Sequence, residues 1–128
     1  MHILAIDQGT SATKAIVVGD GAAVLAIAEE PLRPSYLPGG AVEQDPLALL
    51  DSVLTAGRRA ADEAGVTLDA VALANQGETV LAWDRATGAP LTPAVVWQDR
   101  RAEPVCAALA EHRERVAERT GLVLDPYF

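Results

Sequence analysis

The residues Ile3-Leu4-Ala5-Ile6-Asp7-Gln8-Gly9-Thr10-Ser11-Ala12-Thr13-Lys14-Ala15-Ile16-Val17-Val18 lay down two short apolar runs with a polar turn between them. Ile3 to Ile6 and Ala15 to Val18 read as strands, and Asp7 to Lys14 is the turn that joins them. A third apolar run, Ala23 to Ala28, follows Gly19-Asp20-Gly21, a tight hairpin signal. The three together predict an antiparallel meander.

Working outward, Pro31 to Gly40 holds three prolines and two glycines, which favours an irregular surface loop. Asp45-Pro46 then opens a helix, with the Asp side chain accepting from free backbone N–H groups and Pro in the first turn, where no donor is missed. Leu47, Leu50, Val53, Leu54, Ala61 and Ala64 recur at helical spacing and predict the buried face, and Gly65 is placed to stop the helix. Val71 to Ala74 reads as a buried strand ending in Asn75-Gln76-Gly77-Glu78, a polar corner. Val80 to Trp83 and Pro93 to Trp97 read as two further strands across the turn-rich Asp84 to Gly88. A second helix is expected from near Glu103 to Arg119, with Val105, Leu109 and Val116 inward and Gly121 ending it. Strands, then helix-to-strand crossovers, give an α/β class with a mixed sheet and helices packed on it.

Composition narrows the function. At 128 residues the chain is one domain or a piece of a larger protein, and half its residues are hydrophobic, enough to build a core. Eighteen acidic against 10 basic residues leave a net charge of -8, which repels nucleic acid and anionic lipid. A single cysteine, Cys106, fits a reducing compartment, and no basic segment leads an apolar run, so a cytoplasmic protein without a membrane span is expected. His2 and His112 lie in no metal-ligand pattern, and no Ser-His-Asp or Cys-His set can be assembled.

Two readings of the first turn stand side by side. Asp7, Gly9, Thr10, Ser11 and Lys14 form a hairpin that uses Asp and Gly for geometry, or a cradle that offers N–H groups, hydroxyls and a cation to a phosphate while Asp7 holds Mg²⁺ through water. Gln76 and Glu78 form either a solvated corner or a hydrogen-bonding pair for substrate hydroxyls. Trp97 is a core residue or a face for the carbon side of a polyol, and Asp99 a helix cap or the ion partner of Arg100 or Arg101.

Four segments in order resemble the amino-terminal part of the FGGY carbohydrate kinases, and most of all the glycerol kinase branch. They are Ile3 to Ser11, Asn75 to Thr79 with Trp83 to Gly88, Ala94 to Arg101, and Thr120 to Phe128. The resemblance covers essentially residues 1–128 and implies the first part of domain I of a ribonuclease H-like, actin-like ATPase fold, incomplete here. It implies ATP and Mg as cofactors, with Asp7 serving the metal and Gly9, Thr10, Ser11 and Lys14 the nucleotide. Gln76, Glu78, Trp97 and Tyr127 fall where the family binds its polyol or sugar. The general base has no counterpart among these residues, so catalytic residues are expected outside them and this stretch is expected to be inactive alone. Three departures from the branch stand out: Lys14 for Arg, Ala12 for a hydroxyl residue, and Gly77 for the Arg between Gln and Glu. The last implies an acceptor larger than glycerol or differently placed. A different class of function is a non-catalytic module that self-associates into a homo-oligomer through apolar surface.

Overall fold

A computed structural model describes residues 1–128. The chain divides into two compact units, the first made of residues 1–34 and 44–76, the second of residues 35–43 and 77–128.

In the first unit, β1 (Ile3–Gln8) pairs antiparallel with β2 (Ala12–Val18), which pairs antiparallel with β3 (Val24–Pro31). The meander is present, and each strand runs beyond its apolar centre: β2 begins at Ala12 and β1 ends at Gln8. The Gly19–Gly21 turn closes through a short 3-10 segment, Asp20–Ala22, with Gly19 N–H donating to the Ala23 carbonyl at 2.8 Å. Helix α1 (Pro46–Ala64) then crosses to β6 (Ala70–Asn75), which lies parallel to β1 on its other side. The strand order is β3-β2-β1-β6, a mixed sheet.

The boundaries of α1 are the ones its caps dictate. Asp45 accepts from the Leu47 N–H at 2.9 Å, and Gly65 takes the left-handed conformation with its N–H on the Ala61 carbonyl. Its buried face is not the expected leucine stripe. Ser52, Ala56, Gly57 and Ala60 pack on Leu4, Ile6, Ala15, Val17, Ala26 and Ala28, while Leu47 and Leu50 are more than half exposed. The sheet is met by small residues, so the helix sits close. A Cβ on Gly57 would stand 3.2 Å from Ile6 Cδ1, tighter than ordinary packing. The expected inward residues Val53 and Ala64 flank that face.

The apolar run at Val71 to Ala74 predicts a buried strand, yet all six residues of β6 are exposed, including Val71 and Leu73. It is the outer strand of the sheet, and none of its residues belongs to the buried core that α1 makes with the other strands. An apolar groove of about 340 Å³ runs beside it, lined by Leu4, Ile6, Val53, Leu54, Val71 and Leu73 among others.

The second unit contains most of a small sheet, ordered β4 (Ser35–Tyr36), β5 (Val42–Gln44) and β7 (Ala94–Val95). Thus the Pro-rich segment read as irregular holds a short strand and a 3-10 turn, Pro38–Gly40. The two expected strands after Gly77 shrink to β7 and two isolated bridges, Val80 to Val95 and Trp83 to Pro90. Asp84 holds the turn between them, its Oδ1 accepting from the Ala86 and Thr87 N–H groups and the Thr87 hydroxyl. The second long helix is broken into α2 (Glu103–Ala108), a 3-10 turn (Ala110–His112) and α3 (Arg113–Thr120). Leu109 departs from helical geometry at the break, and Val105 and Leu109 are exposed. Gly121 ends α3 in the left-handed conformation, as expected. No helix is long and apolar enough to cross a membrane.

Candidate functional site

In the first unit, alternation along β1 turns Leu4, Ile6 and Gln8 toward α1 and Asp7 to the opposite, open face. Asp7 stands directly across from Lys14, and Lys14 directly across from Glu29. Lys14 Nζ lies 3.3 Å from Glu29 Oε2, an exposed pair. The three charges form a cross-strand row, negative, positive, negative, on one face. The cation the sequence singles out is thus paired with Glu29 and stands in register with Asp7.

The turn from β1 to β2 is held tightly. Gly9 N–H donates to the Ala12 carbonyl at 3.0 Å, and a Cβ on Gly9 would stand 3.0 Å from that oxygen. Glycine is needed here for close approach, and its φ is not in the left-handed region. Gln8 Nε2 donates to the Gly9 carbonyl at 2.7 Å. Behind the turn, the fully buried Thr13 hydroxyl lies 2.7 Å from Ser52 Oγ, which donates to the Leu49 carbonyl of α1. Ser11 is exposed, and its carbonyl accepts from the Leu32 N–H.

Two residues expected to contact ligand also bond within the fold. Thr10 Oγ1 donates to Gln76 Oε1 at 2.8 Å, so its proton is used inside the fold. Gln76 Nε2 donates to Gln44 Oε1 at 2.9 Å, so the Gln76 amide is engaged at both ends. Gln76 N–H continues the parallel ladder onto the Gln8 carbonyl. Gln76 is therefore bound to the turn, the consequence of β6 running alongside β1. Gln44, buried and in the centre of these bonds, carries no sequence signal: an uncharged residue before a helix cap reads as solvent-facing.

In the second unit, Glu78 is exposed and holds a φ of 58°, one of two non-glycine residues in the left-handed region. That conformation costs about 1–2 kcal/mol for a residue with a side chain. The preceding Gly77 is outside the left-handed region, and a Cβ there would meet nothing within 4 Å. Trp97 and Tyr127 are brought together, ring centroids 5.9 Å apart and edge to face, with Phe128 stacked edge-on against Tyr127. They line a cavity of about 560 Å³ with Gln98, Arg100, Val123 and Asp125. Glu78 is not among the residues lining it. Arg100 bridges Glu103 and Asp125, at 3.3 and 3.0 Å.

Asp99 does not cap α2, whose N-cap is Ala102. It is buried, and accepts from Val42 N–H at 2.7 Å and from the Arg101 backbone and guanidinium at 2.8–3.0 Å. Burial works to raise its pKa, but the hydrogen bonds from Arg101 and Val42 outweigh it and hold the carboxyl below the usual carboxylate range. Arg101 also binds Glu43 at 2.7 Å, and together the two carboxylates raise the guanidinium's pKa.

A meander followed by a helix and a parallel strand, with a glycine-closed turn at the end of β1, defines the class: a partial ribonuclease H-like domain of the actin-like ATPase type. The chain belongs to the FGGY family of carbohydrate kinases, matching the model of the family's N-terminal domain over residues 2–128. A glycerol kinase of Leptothrix cholodnii is 48% identical over 98% of the chain, and one of Rhodopseudomonas palustris 40% identical over 98%. Among solved structures, Plasmodium falciparum glycerol kinase with ADP superposes with a TM-score of 0.90 at 28% identity over 99% of the chain. Xylulose kinase of Rhodospirillum rubrum superposes with a TM-score of 0.89 at 26% identity over 100% of the chain. The chain spans about a quarter of the length of these proteins: 26% of both glycerol kinases and of the Plasmodium enzyme, and 27% of the xylulose kinase.

Proposed function

We propose that the protein to which these residues belong transfers the γ-phosphoryl group of ATP to a hydroxyl of a polyol or sugar. The observation that carries this reading is the exposed Asp7 carboxylate at the end of β1, beside a turn braced from behind, in a chain of the FGGY family. The exposed Asp7 carboxylate suits Mg²⁺, which keeps most of its waters and is completed by substrate phosphates. The ion, when bound, neutralises charge on the transferring phosphoryl group. Gly9 and Ser11 line the terminal phosphates, Ser11 donating its hydroxyl, while Thr10 shapes the turn. Lys14 offsets phosphate charge in competition with Glu29.

On the acceptor side, Glu78 accepts from hydroxyls, Trp97 packs on carbon, and Tyr127 donates a hydrogen bond. Gln76 holds the turn with one amide hydrogen and one lone pair, and its second of each serves the acceptor. Gly77, where the glycerol kinase branch has Arg, leaves room and removes positive charge, which suits an acceptor larger than glycerol or differently oriented. The carboxylate that takes the hydroxyl proton comes from outside residues 1–128, so these residues alone turn nothing over.

The test is a full-length protein assayed with Mg-ATP against a broad polyol and sugar panel. Turnover of at least one acceptor is expected, with Asp7→Asn lowering kcat by about 100-fold, the scale of losing one electrostatic anchor. Full-length protein that phosphorylates none of them would refute the reading. A second reading, a self-associating module without catalysis, is favoured by one observation, the bare β6.

A further inference from the structure

Three side chains drawn from separate segments close a ring. Thr10 Oγ1 donates to Gln76 Oε1 at 2.8 Å, Gln76 Nε2 to Gln44 Oε1 at 2.9 Å, and Gln44 Nε2 to the Thr10 carbonyl at 2.8 Å. Thr10 lies in the turn after β1, Gln44 ends β5 just before the Asp45 cap of α1, and Gln76 follows β6. The bonds run one way round, so each amide has a single orientation that satisfies both its neighbours. Gln44 is 4% exposed, and both ends of its side chain are engaged in the ring.

The bond to the Thr10 carbonyl has a consequence one atom further on. The chain contains no cis peptide, and across a planar trans peptide the N–H lies anti to the preceding C=O. The bond from Gln44 to the Thr10 oxygen therefore directs the Ser11 N–H away from Gln44. A fixed N–H next to the exposed Ser11 hydroxyl makes two donors from one residue, suited to a phosphate oxygen.

We propose that Gln44 is a positioning residue for the phosphate-binding turn: by fixing the Thr10–Ser11 peptide plane it presets the Ser11 N–H as a donor to the terminal phosphate of the nucleotide. This rests on the phosphoryl-transfer reading above. Gln44 touches neither substrate; its effect passes through Thr10.

The experiment uses full-length protein with Gln44→Glu and Gln44→Ala. Glutamate has the same size and still accepts from Gln76, but presents an oxygen to the Thr10 carbonyl in place of an N–H. Loss of a hydrogen bond on this scale should raise the KM for Mg-ATP about tenfold in both variants, leave the acceptor KM within about twofold, and speed amide exchange at residues 9–13 about tenfold. Unchanged Mg-ATP KM and exchange in folded variants would overturn the proposal. So would equal losses for both substrates accompanied by a fall in melting temperature, the mark of a purely structural role. If neither Gln44 variant folds, Gln76→Glu opens the same ring from a half-buried position and is judged by the same criteria. A wild-type protein that phosphorylates no acceptor defeats the phosphoryl-transfer reading instead, and the ring is then decided by amide exchange alone: acceleration in the variants upholds the clamp on the turn, no change removes it.

Discussion

Glu78 carries a side chain in a left-handed conformation, and its neighbour Gly77 is glycine where the backbone does not ask for one. The two residues invert the usual logic, in which the glycine takes the positive φ. The strain at Glu78 costs about 1–2 kcal/mol, and the open space at Gly77 would admit a longer side chain. Gly77→Arg should therefore fold as well as the parent, shifting stability by no more than about 1 kcal/mol, because it meets open space and narrows the unfolded ensemble. In full-length protein it should raise kcat/KM for glycerol relative to longer polyols. Melting curves and a two-substrate assay check both halves, and an unchanged ratio would refute the pocket argument. At this scale the sequence singles out charged, glycine and aromatic residues, because their chemistry is unusual wherever it occurs; the structure pairs Trp97 with Tyr127 and leaves Glu78 outside their cavity. Gln44 is not singled out, since its importance arises from Thr10 and Gln76, 34 and 32 residues away.

Elements were legible where their ends are chemically marked. Asp45-Pro46 and Gly65 delimit α1 because caps act within a few residues. Which face it buries was misread, because periodicity follows the large apolar residues, whereas the sheet selects Ser52, Ala56, Gly57 and Ala60, which allow close approach. The short strands β4 and β5 carry no alternating apolar run of their own: β5 is held by its pairing with β4 and by the buried Asp99, which takes the Val42 N–H. This has a pH consequence. Because the folded carboxyl titrates below its ordinary value of 3.8, its stabilising share is full above that value and is lost as pH falls from there through the lower folded value. Urea midpoints should drop as pH goes from 6 to about 3. The drop should be smaller in Asp99→Asn, which is already weakened at neutral pH; parallel profiles for the two proteins would contradict this.

For the molecule as a whole, the antiparallel meander and the mixed character of the sheet are legible in the succession of strands and crossovers, but the place of β6 beside β1 and its exposure are not. An apolar run reads as buried whether or not anything lies against it. With Val71 and Leu73 bare, an unpaired edge and an apolar groove alongside, the 128-residue chain should associate as its concentration rises. Val71→Lys with Leu73→Lys should abolish this while leaving the far-UV spectrum intact. Light scattering after size exclusion measures it, and a wild-type monomer at all concentrations would count against it. The same strand matters while the protein is being made. Until something lies against it, the nascent strand offers an unpaired edge and two bare apolar side chains to any neighbouring chain.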